Sequence, residues 1–355
     1  MNDESAENPE RPAGKQGPHG WVKPALVSLL AVLVVGTGAV LLPPNEGPAP
    51  EPSFSDTAKA SAYAETLALL ADADNAGSPA ATMTLLETQA RALLAPASPA
   101  ASASATSAAP APITKTRFLA GLSRSASQRL ADAGNSDGGT ARLLAAVGTA
   151  QLLEAVRLAA AWGLPAPSGP SLAATAAASP APSSSCHDSG GPTPAATAVS
   201  PSGAAGPGEA LAAVVRAEQK AVYVYQVALA RLDGSASETA AADLSRHQEL
   251  LREAEGLARQ HCTEPPPREA GYRLPAGFAA HAAAALGEQE TATLAAYGEL
   301  VALSENETRQ WAMAGLLDGA RRTGSWGAPP GALPGLPVDP AQLPTLPVST
   351  AAPQT

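Results

Sequence analysis

Three ionisable side chains stand at otherwise apolar positions in the C-terminal third of the chain. Glu218, His247 and Glu290 each lie near the middle of an amphipathic helical pattern and in phase with its hydrophobic residues. A helical bundle tolerates a buried charge only when another group or an ion pairs with it. These residues therefore predict either a buried ion-pair network or a site for a single Fe, Mn or Zn ion.

Arg309 is the fourth predicted member of this buried polar network. It aligns with Met313 and Leu316 on the last predicted helix. It also lies near the end of that helix, where the rise per residue places it level with Tyr297 and Glu299. Either of those two residues is therefore an alternative partner for Arg309.

A carboxylate, an imidazole and a second carboxylate form part of a di-iron carboxylate arrangement. That arrangement takes one Glu from each of two helices and Glu-x-x-His from each of the other two. Here Asp243 stands four residues before His247, and the last helix contains no His. We therefore expect a network that fixes helix register and no cofactor, with the one-ion site as the alternative.

Four helices are predicted to position these residues. Capping-box pairs, Ser235 with Glu238 and Ser304 with Glu307, indicate the starts of the second and fourth helices. The first helix is expected to run from Pro207-Gly208 to Leu232, and the third from Pro275 to about Leu303.

Several motifs in residues 209–326 together resemble a known family, the ferritin-like domain of unknown function from actinobacterial envelope proteins. The resemblance implies a ferritin-like four-helix bundle with no established activity. Family members commonly have His directly after the first Glu, where this chain has Gln219. The matching residues are Glu218 to Tyr225, His247, Tyr272 to Pro275, Glu288 to Glu290, Arg309 and Trp326.

A second helical unit is expected over residues 56–163, so the predicted fold class is all-α. Leu, Val and Ala recur there at three- and four-residue spacing. We find no metal-ligand spacing in this region and expect packing alone. The predicted helices are Asp56–Ala73, Pro79–Ala95, Thr114–Ala133 and Thr140–Trp162.

Residues 24–42 contain no charge and are long enough to cross a bilayer. Basic residues precede this stretch and the next one is Lys59, so the leader, residues 1–23, is expected in the cytoplasm. We predict a single-pass anchor in the cell membrane that holds the helical units on the extracytoplasmic side. A cleaved signal peptide, with Thr37 and Ala39 near the cleavage site, is the alternative.

Three segments read as spacers because they are rich in Pro, Ala, Ser and Gly and poor in large apolar residues. Residues 43–55 separate the anchor from the first unit, and residues 164–207 form a disordered linker to the second, residues 208–326. Residues 327–355 form a Pro-rich tail, in which Leu333, Leu336 and Leu343 are available to dock on a bundle.

The two cysteines, Cys186 and Cys262, are expected to form a disulfide because both lie on the external side. With the adjacent His187 and His261 they offer an alternative zinc set, although adjacent residues rarely converge on one ion.

The formal charge of −10 argues against nucleic-acid binding, which requires a basic surface. We expect a non-catalytic envelope protein with an interaction or structural role, possible partners being other envelope proteins. The alternative is a metal-binding or oxidoreductase domain. A nucleophilic hydrolase is less favoured because the chain has no G-x-S-x-G turn.

Overall fold

The regular structure of the described residues is helical, as the sequence predicts. The computed structural model describes residues 51–94, 113–168 and 206–347. The predicted leader and anchor, and most of the predicted linker, lie outside these ranges. The helices are α1 (Phe54–Asn75), α2 (Ala80–Leu93), α3 (Lys115–Asn135), α4 (Gly138–Trp162), α5 (Pro207–Leu229), α6 (Gly234–Gln260), α7 (Ala282–Leu303) and α8 (Asn306–Ser325), followed by a 3₁₀ turn at Pro340–Gln342.

Helices α1 to α4 form two hairpins whose ends are fixed by short polar side chains. Ser53 and Asp56 make a reciprocal capping box at the start of α1. The side chain of Asp137 accepts a hydrogen bond from the backbone N–H of Thr140 at the start of α4. Gly163 ends α4 with φ +63°, a left-handed conformation that glycine adopts without strain. All four predicted helices are present, with ends shifted by only a few residues.

Helix α4 is the most deeply buried element of the first four. It is also the one described helix that is long and apolar enough to span a bilayer. Most of that apolar stretch is buried against other helices, a property that core helices of globular folds share. The predicted anchor at residues 24–42 lies outside the described residues.

Helices α5 to α8 also form two hairpins, α5 with α6 and α7 with α8. Helix α7 begins at Ala282, seven residues later than predicted, because Gly277 adopts φ +78° in the preceding turn. The two predicted capping boxes are not formed: α6 and α8 have no side-chain hydrogen bond at their N-caps. Ser304 instead donates from its hydroxyl to the carbonyl of Leu300 at the end of α7.

The two groups of helices share one hydrophobic core. Helix α4 packs against α7, and buried residues from both groups belong to the same cluster. The turn before α4 lies so close to α7 that a Cβ at Gly138 would be 2.1 Å from the carbonyl oxygen of Ala302. Residues 52–347, as far as they are described, therefore form one compact unit.

Residues 327–347, which we call the C-terminal strap, lie across both groups of helices. Arg91 of α2 donates to the carbonyls of Pro340, Leu343 and Pro344 at 2.7 to 2.9 Å. Arg142 of α4 donates twice to the carbonyl of Gly335. Leu333 is buried, whereas Leu336 and Leu343 are half-buried. The strap is therefore held against α2, α4 and α7.

Cys262 follows α6 and is disulfide-bonded. Its predicted partner, Cys186, lies outside the described residues.

Candidate functional site

His247 joins two carboxylates at the centre of the C-terminal helices. Its Nδ1 lies 2.6 Å from Oε2 of Glu218, and its Nε2 lies 2.7 Å from Oε1 of Glu290. All three side chains are completely buried. They meet because each sits in mid-helix on the inward stripe of α5, α6 or α7, as the periodicity of the sequence predicts.

Two tyrosines complete the hydrogen bonding of these carboxylates. Tyr225 of α5 donates its hydroxyl to Oε1 of Glu290 at 2.6 Å. Tyr297 of α7 donates to Oε1 of Glu218 at 2.8 Å. Each tyrosine therefore binds the glutamate of the other helix, and both rings are buried.

Arg322 of α8 supplies the permanent positive charge of the site. Its Nε donates to Oε2 of Glu290 at 3.0 Å, and its Nη1 donates to Oδ2 of Asp318 at 2.9 Å. Asp318 also accepts from Nε of Arg246 at 2.9 Å. We use the term core network for Glu218, His247, Glu290, Arg322, Tyr225 and Tyr297.

The electrostatics of the core network favour a protonated histidine. Burial by itself lowers the pKa of His247, but hydrogen bonds and negative charge from Glu218 and Glu290 outweigh burial and raise that pKa to about 9. Burial likewise opposes ionisation of Glu290, but His247 and Arg322 hold its pKa below the usual value. The two carboxylates are thus neutralised by one imidazolium and one guanidinium.

The surrounding groups have shifted pKa values as well. Burial and the adjacent carboxylates raise the pKa of Tyr225 and of Tyr297, so both phenols stay protonated as donors. Burial favours the neutral form of Asp318, yet Arg322 and Arg246 lower its pKa. Burial raises the pKa of Asp243, which accepts a hydrogen bond from the indole of Trp326 at 2.9 Å.

One family model matches the part of the chain that contains this site. Residues 210–338 match the family described as "Domain of unknown function (DUF4439)". DUF4439 is a ferritin-like-type family without an assigned function. The match starts in α5 and includes the whole core network and the first half of the C-terminal strap. Searches of the curated proteins and of the solved structures found no match.

The matched region brings together three of the four predicted network residues. Arg309, the fourth, lies elsewhere: its Nε donates to the carbonyl of Ser304 at 2.7 Å and its Nη1 to the carbonyl of Ser136 at 2.6 Å. Nη1 also lies 3.3 Å from the carbonyl of Ala133, so Arg309 satisfies carbonyls at the end of α3. Neither suggested partner binds it, since Tyr297 bonds Glu218 and Glu299 pairs with Arg142.

Arg322 and Asp318 were not among the residues predicted for the network. The signal was present in the spacing, because Asp318 precedes Arg322 by four positions as Asp243 precedes His247. Residues four apart share one face of a helix, so the aspartate and the cation of each pair lie together.

The matched family is of ferritin-like type, which raises the question of a metal, and the geometry of the core network does not fit one. Both oxygens of Glu218 and both oxygens of Glu290 already accept hydrogen bonds. Both ring nitrogens of His247 are occupied by carboxylates, whereas a ligating nitrogen needs a free lone pair. Within residues 51–94, 113–168 and 206–347, no group of three or more His, Cys, Asp or Glu is arranged to hold an ion.

Proposed function

We propose that this protein is a membrane-anchored, non-catalytic module of the cell envelope, with an interaction or structural role. One observation carries the proposal: in the buried charged cluster of the matched region, every carboxylate oxygen of Glu218 and Glu290 and both ring nitrogens of His247 already bind another member of the cluster. A catalytic or ligand-binding centre needs at least one open position for a substrate or an ion. In the core network every carboxylate oxygen and both imidazole nitrogens are already engaged within the cluster, and the one buried polar atom without a hydrogen bond is Nη2 of Arg322, a donor that repels cations.

The network instead has the properties of a device that fixes how four helices pack. It links α5, α6, α7 and α8 through six side chains. Buried, paired charges can specify helix register because any other register leaves a charge without its partner. A ferritin-like arrangement of these helices is part of the proposal, supported by two glutamate-bearing helices that face a histidine-bearing helix.

The placement in the envelope rests on the sequence. Residues 24–42 are the proposed anchor, and the preceding basic residues orient it with the leader inside. The described helices then lie outside the membrane, where a disulfide at Cys262 persists.

Labelling of intact protoplasts with a membrane-impermeant amine reagent tests this topology. Lys115 is exposed at the start of α3, so we expect it to be labelled in intact protoplasts. Lys15 and Lys23 are expected to react only after lysis. Labelling of Lys15 or Lys23 before lysis would contradict the orientation, and loss of the peptide that contains them from the mature protein would indicate a cleaved signal sequence.

Elemental analysis of the full chain, purified in detergent without chelators, tests the non-catalytic assignment. We expect less than stoichiometric Fe, Mn and Zn, and no difference between the wild type and a Glu218→Ala, His247→Ala double variant. Near one equivalent of metal in the wild type, lost in the double variant, would overturn the assignment and favour an oxidoreductase or metal-storage role.

A further inference from the structure

The two hairpins of the family region carry the same four-residue pattern. In each hairpin the first helix has a Glu followed seven positions later by a Tyr, and the second helix has an Asp followed four positions later by a basic residue. The members are Glu218, Tyr225, Asp243 and His247 in the first hairpin, and Glu290, Tyr297, Asp318 and Arg322 in the second.

The contacts repeat in the same way as the pattern. Tyr225 donates to Glu290 at 2.6 Å, and the equivalent Tyr297 donates to Glu218 at 2.8 Å. A two-fold axis between the hairpins produces this exchange, because it makes the tyrosine of each hairpin bind the glutamate of the other. His247 and Arg322 are equivalent positions: His247 donates to Glu218 of its own hairpin, and Arg322 donates to Glu290 of its own hairpin.

The difference between these two equivalent positions decides what the site can bind. A neutral imidazole offers a lone pair to a metal ion, whereas a guanidinium has no lone pair and stays charged at any physiological pH. Arg322 is buried, and its Nε donates to Oε2 of Glu290 at 3.0 Å. Any cation that approached this oxygen would meet the guanidinium charge at close range and in a medium of low dielectric.

We infer that Arg322 occupies the position at which a second histidine, equivalent to His247, would complete a metal centre. The positive charge of Arg322 takes the place of the metal ion in that half of the site. The bundle is thereby closed to divalent ions although two glutamates and a histidine converge in it. This inference rests on the closed network of the proposed function and goes further, because it assigns the closure to one residue.

The inference predicts that a single substitution opens the site. Arg322→His removes the guanidinium, places an imidazole opposite His247 and frees Oε2 of Glu290. The shorter side chain also leaves room beside Glu290 for an ion. Together with Glu218, Glu290 and His247, the introduced imidazole supplies two carboxylates and two imidazoles, a donor set that suits first-row divalent metals. His247 becomes a ligand by giving up the proton that it now donates to Glu290, since metal binding releases a proton from a ligating imidazole.

Equilibrium dialysis of the detergent-solubilised full chain against Co²⁺ alone tests the inference, with bound metal measured by elemental analysis and visible absorption. We expect near one equivalent in Arg322→His and none at this site in the wild type. The matched control is Arg321→His, which introduces the same residue at the exposed neighbouring position of α8 and should behave as the wild type. Adding His247→Ala to Arg322→His should weaken Co²⁺ binding at least about tenfold, because it removes a ligand.

A second variant separates the charge from the added ligand. Arg322→Gln keeps an amide donor near Glu290 but removes the positive charge, so we expect Co²⁺ affinity at least about tenfold above that of the wild type. Circular dichroism identifies which variants are folded. Folded Arg322→His and Arg322→Gln that bind no more Co²⁺ than Arg321→His would overturn the inference and leave the proposed function intact.

The measurement of Co²⁺ binding by the wild type does not depend on the folding of a variant. Stoichiometric Co²⁺ in the wild type, removed by Glu218→Ala with His247→Ala, would show that Arg322 does not exclude the ion and would overturn the inference and the proposed function together. Absence of Co²⁺ from the wild type with uptake by Arg322→His supports both.

Discussion

Gly315 in α8 provides the space that the ring of Tyr297 fills. A Cβ at Gly315 would lie 2.2 Å from Cε1, 2.6 Å from Cδ1 and 2.9 Å from Cζ of that ring. Tyr297 is completely buried, so the ring has no free volume into which it could move. We therefore expect Gly315→Ala to displace the ring and break its hydrogen bond to Glu218.

The structure sets the size of the effect. Overpacking a buried site costs about 1 to 3 kcal/mol. Loss of a hydrogen bond to a buried carboxylate costs a further 1.5 to 3 kcal/mol, approximately. The better helix propensity of alanine returns up to about 1 kcal/mol. Gly315→Ala should therefore lower the free energy of unfolding by roughly 1.5 to 6 kcal/mol.

Urea unfolding of the full chain, followed by circular dichroism, measures this change. Gly324→Ala is the matched control because it is the same substitution in the same helix, at an exposed position with no atom within 4 Å of the new Cβ. The control should unfold at the urea midpoint of the wild type or slightly above it. Equal losses in the two variants would refute the packing argument, and so would an unchanged midpoint for Gly315→Ala.

Three further substitutions test other contacts. Tyr225→Phe removes a donor from buried Glu290 and should lower the free energy of unfolding by about 1.5 to 3 kcal/mol in the same urea assay. Arg309→Ala leaves carbonyls at the end of α3 without a donor, and should cost about 1 to 3 kcal/mol. Arg91→Ala removes three hydrogen bonds to the C-terminal strap, so limited proteolysis should cut the strap at least about tenfold faster.

Each of these substitutions has a control of the same type. Tyr223→Phe alters a half-buried hydroxyl on the same helix as Tyr225, and Arg321→Ala removes an exposed arginine from the helix of Arg309. Arg124→Ala, on the exposed face of α3, controls for Arg91→Ala. Any pair in which the control changes as much as the test variant would contradict the contact assigned to that pair.

The centre of the site could be predicted because its residues interrupt a regular pattern. Glu218, His247 and Glu290 each replace a hydrophobic residue on the buried stripe of a helix, and a helix of 3.6 residues per turn fixes where that stripe points. Mid-helix positions in antiparallel hairpins lie at similar depth, so convergence followed. The helical boundaries of the first four helices were predictable for the same reason and from their Gly and Pro stops.

The cation of the site could not be predicted from periodicity alone. Arg309 lies on the apolar stripe of α8, but a long side chain near a helix end reaches backbone carbonyls that periodicity cannot reveal. Arg322 lies off that stripe, on the face of α8 where Gly315 contacts Tyr297, and its Nε binds Glu290. The start of α7 was missed because the turn at Gly277 delays the helix until Ala282.

The strap was predicted only as a Pro-rich tail with leucines available for docking. Its attachment depends on arginines of α2 and α4, far away in the sequence, that bind its carbonyl oxygens. Backbone acceptors are the same for every residue type, so no sequence pattern identifies such a contact.

The charge balance of the core network depends on the protonation of His247. Its pKa is raised from an ordinary value of 6.5 to about 9, so its contribution to stability is complete below pH 6.5 and is lost as the pH rises through 9. The full loss corresponds to roughly 3 kcal/mol. The free energy of unfolding should fall over this range in the wild type and not in His247→Gln.

The most direct measurement is a pH titration of the ring ¹⁵N signals in the full chain, labelled only at its five histidines. The signals of His247 are those absent from His247→Gln. Both ring nitrogens should carry a proton at pH 7 and should titrate together near pH 9. A ring nitrogen of His247 without a proton at pH 7 would contradict the charge-balanced network, since Glu218 and Glu290 would then share the single charge of Arg322.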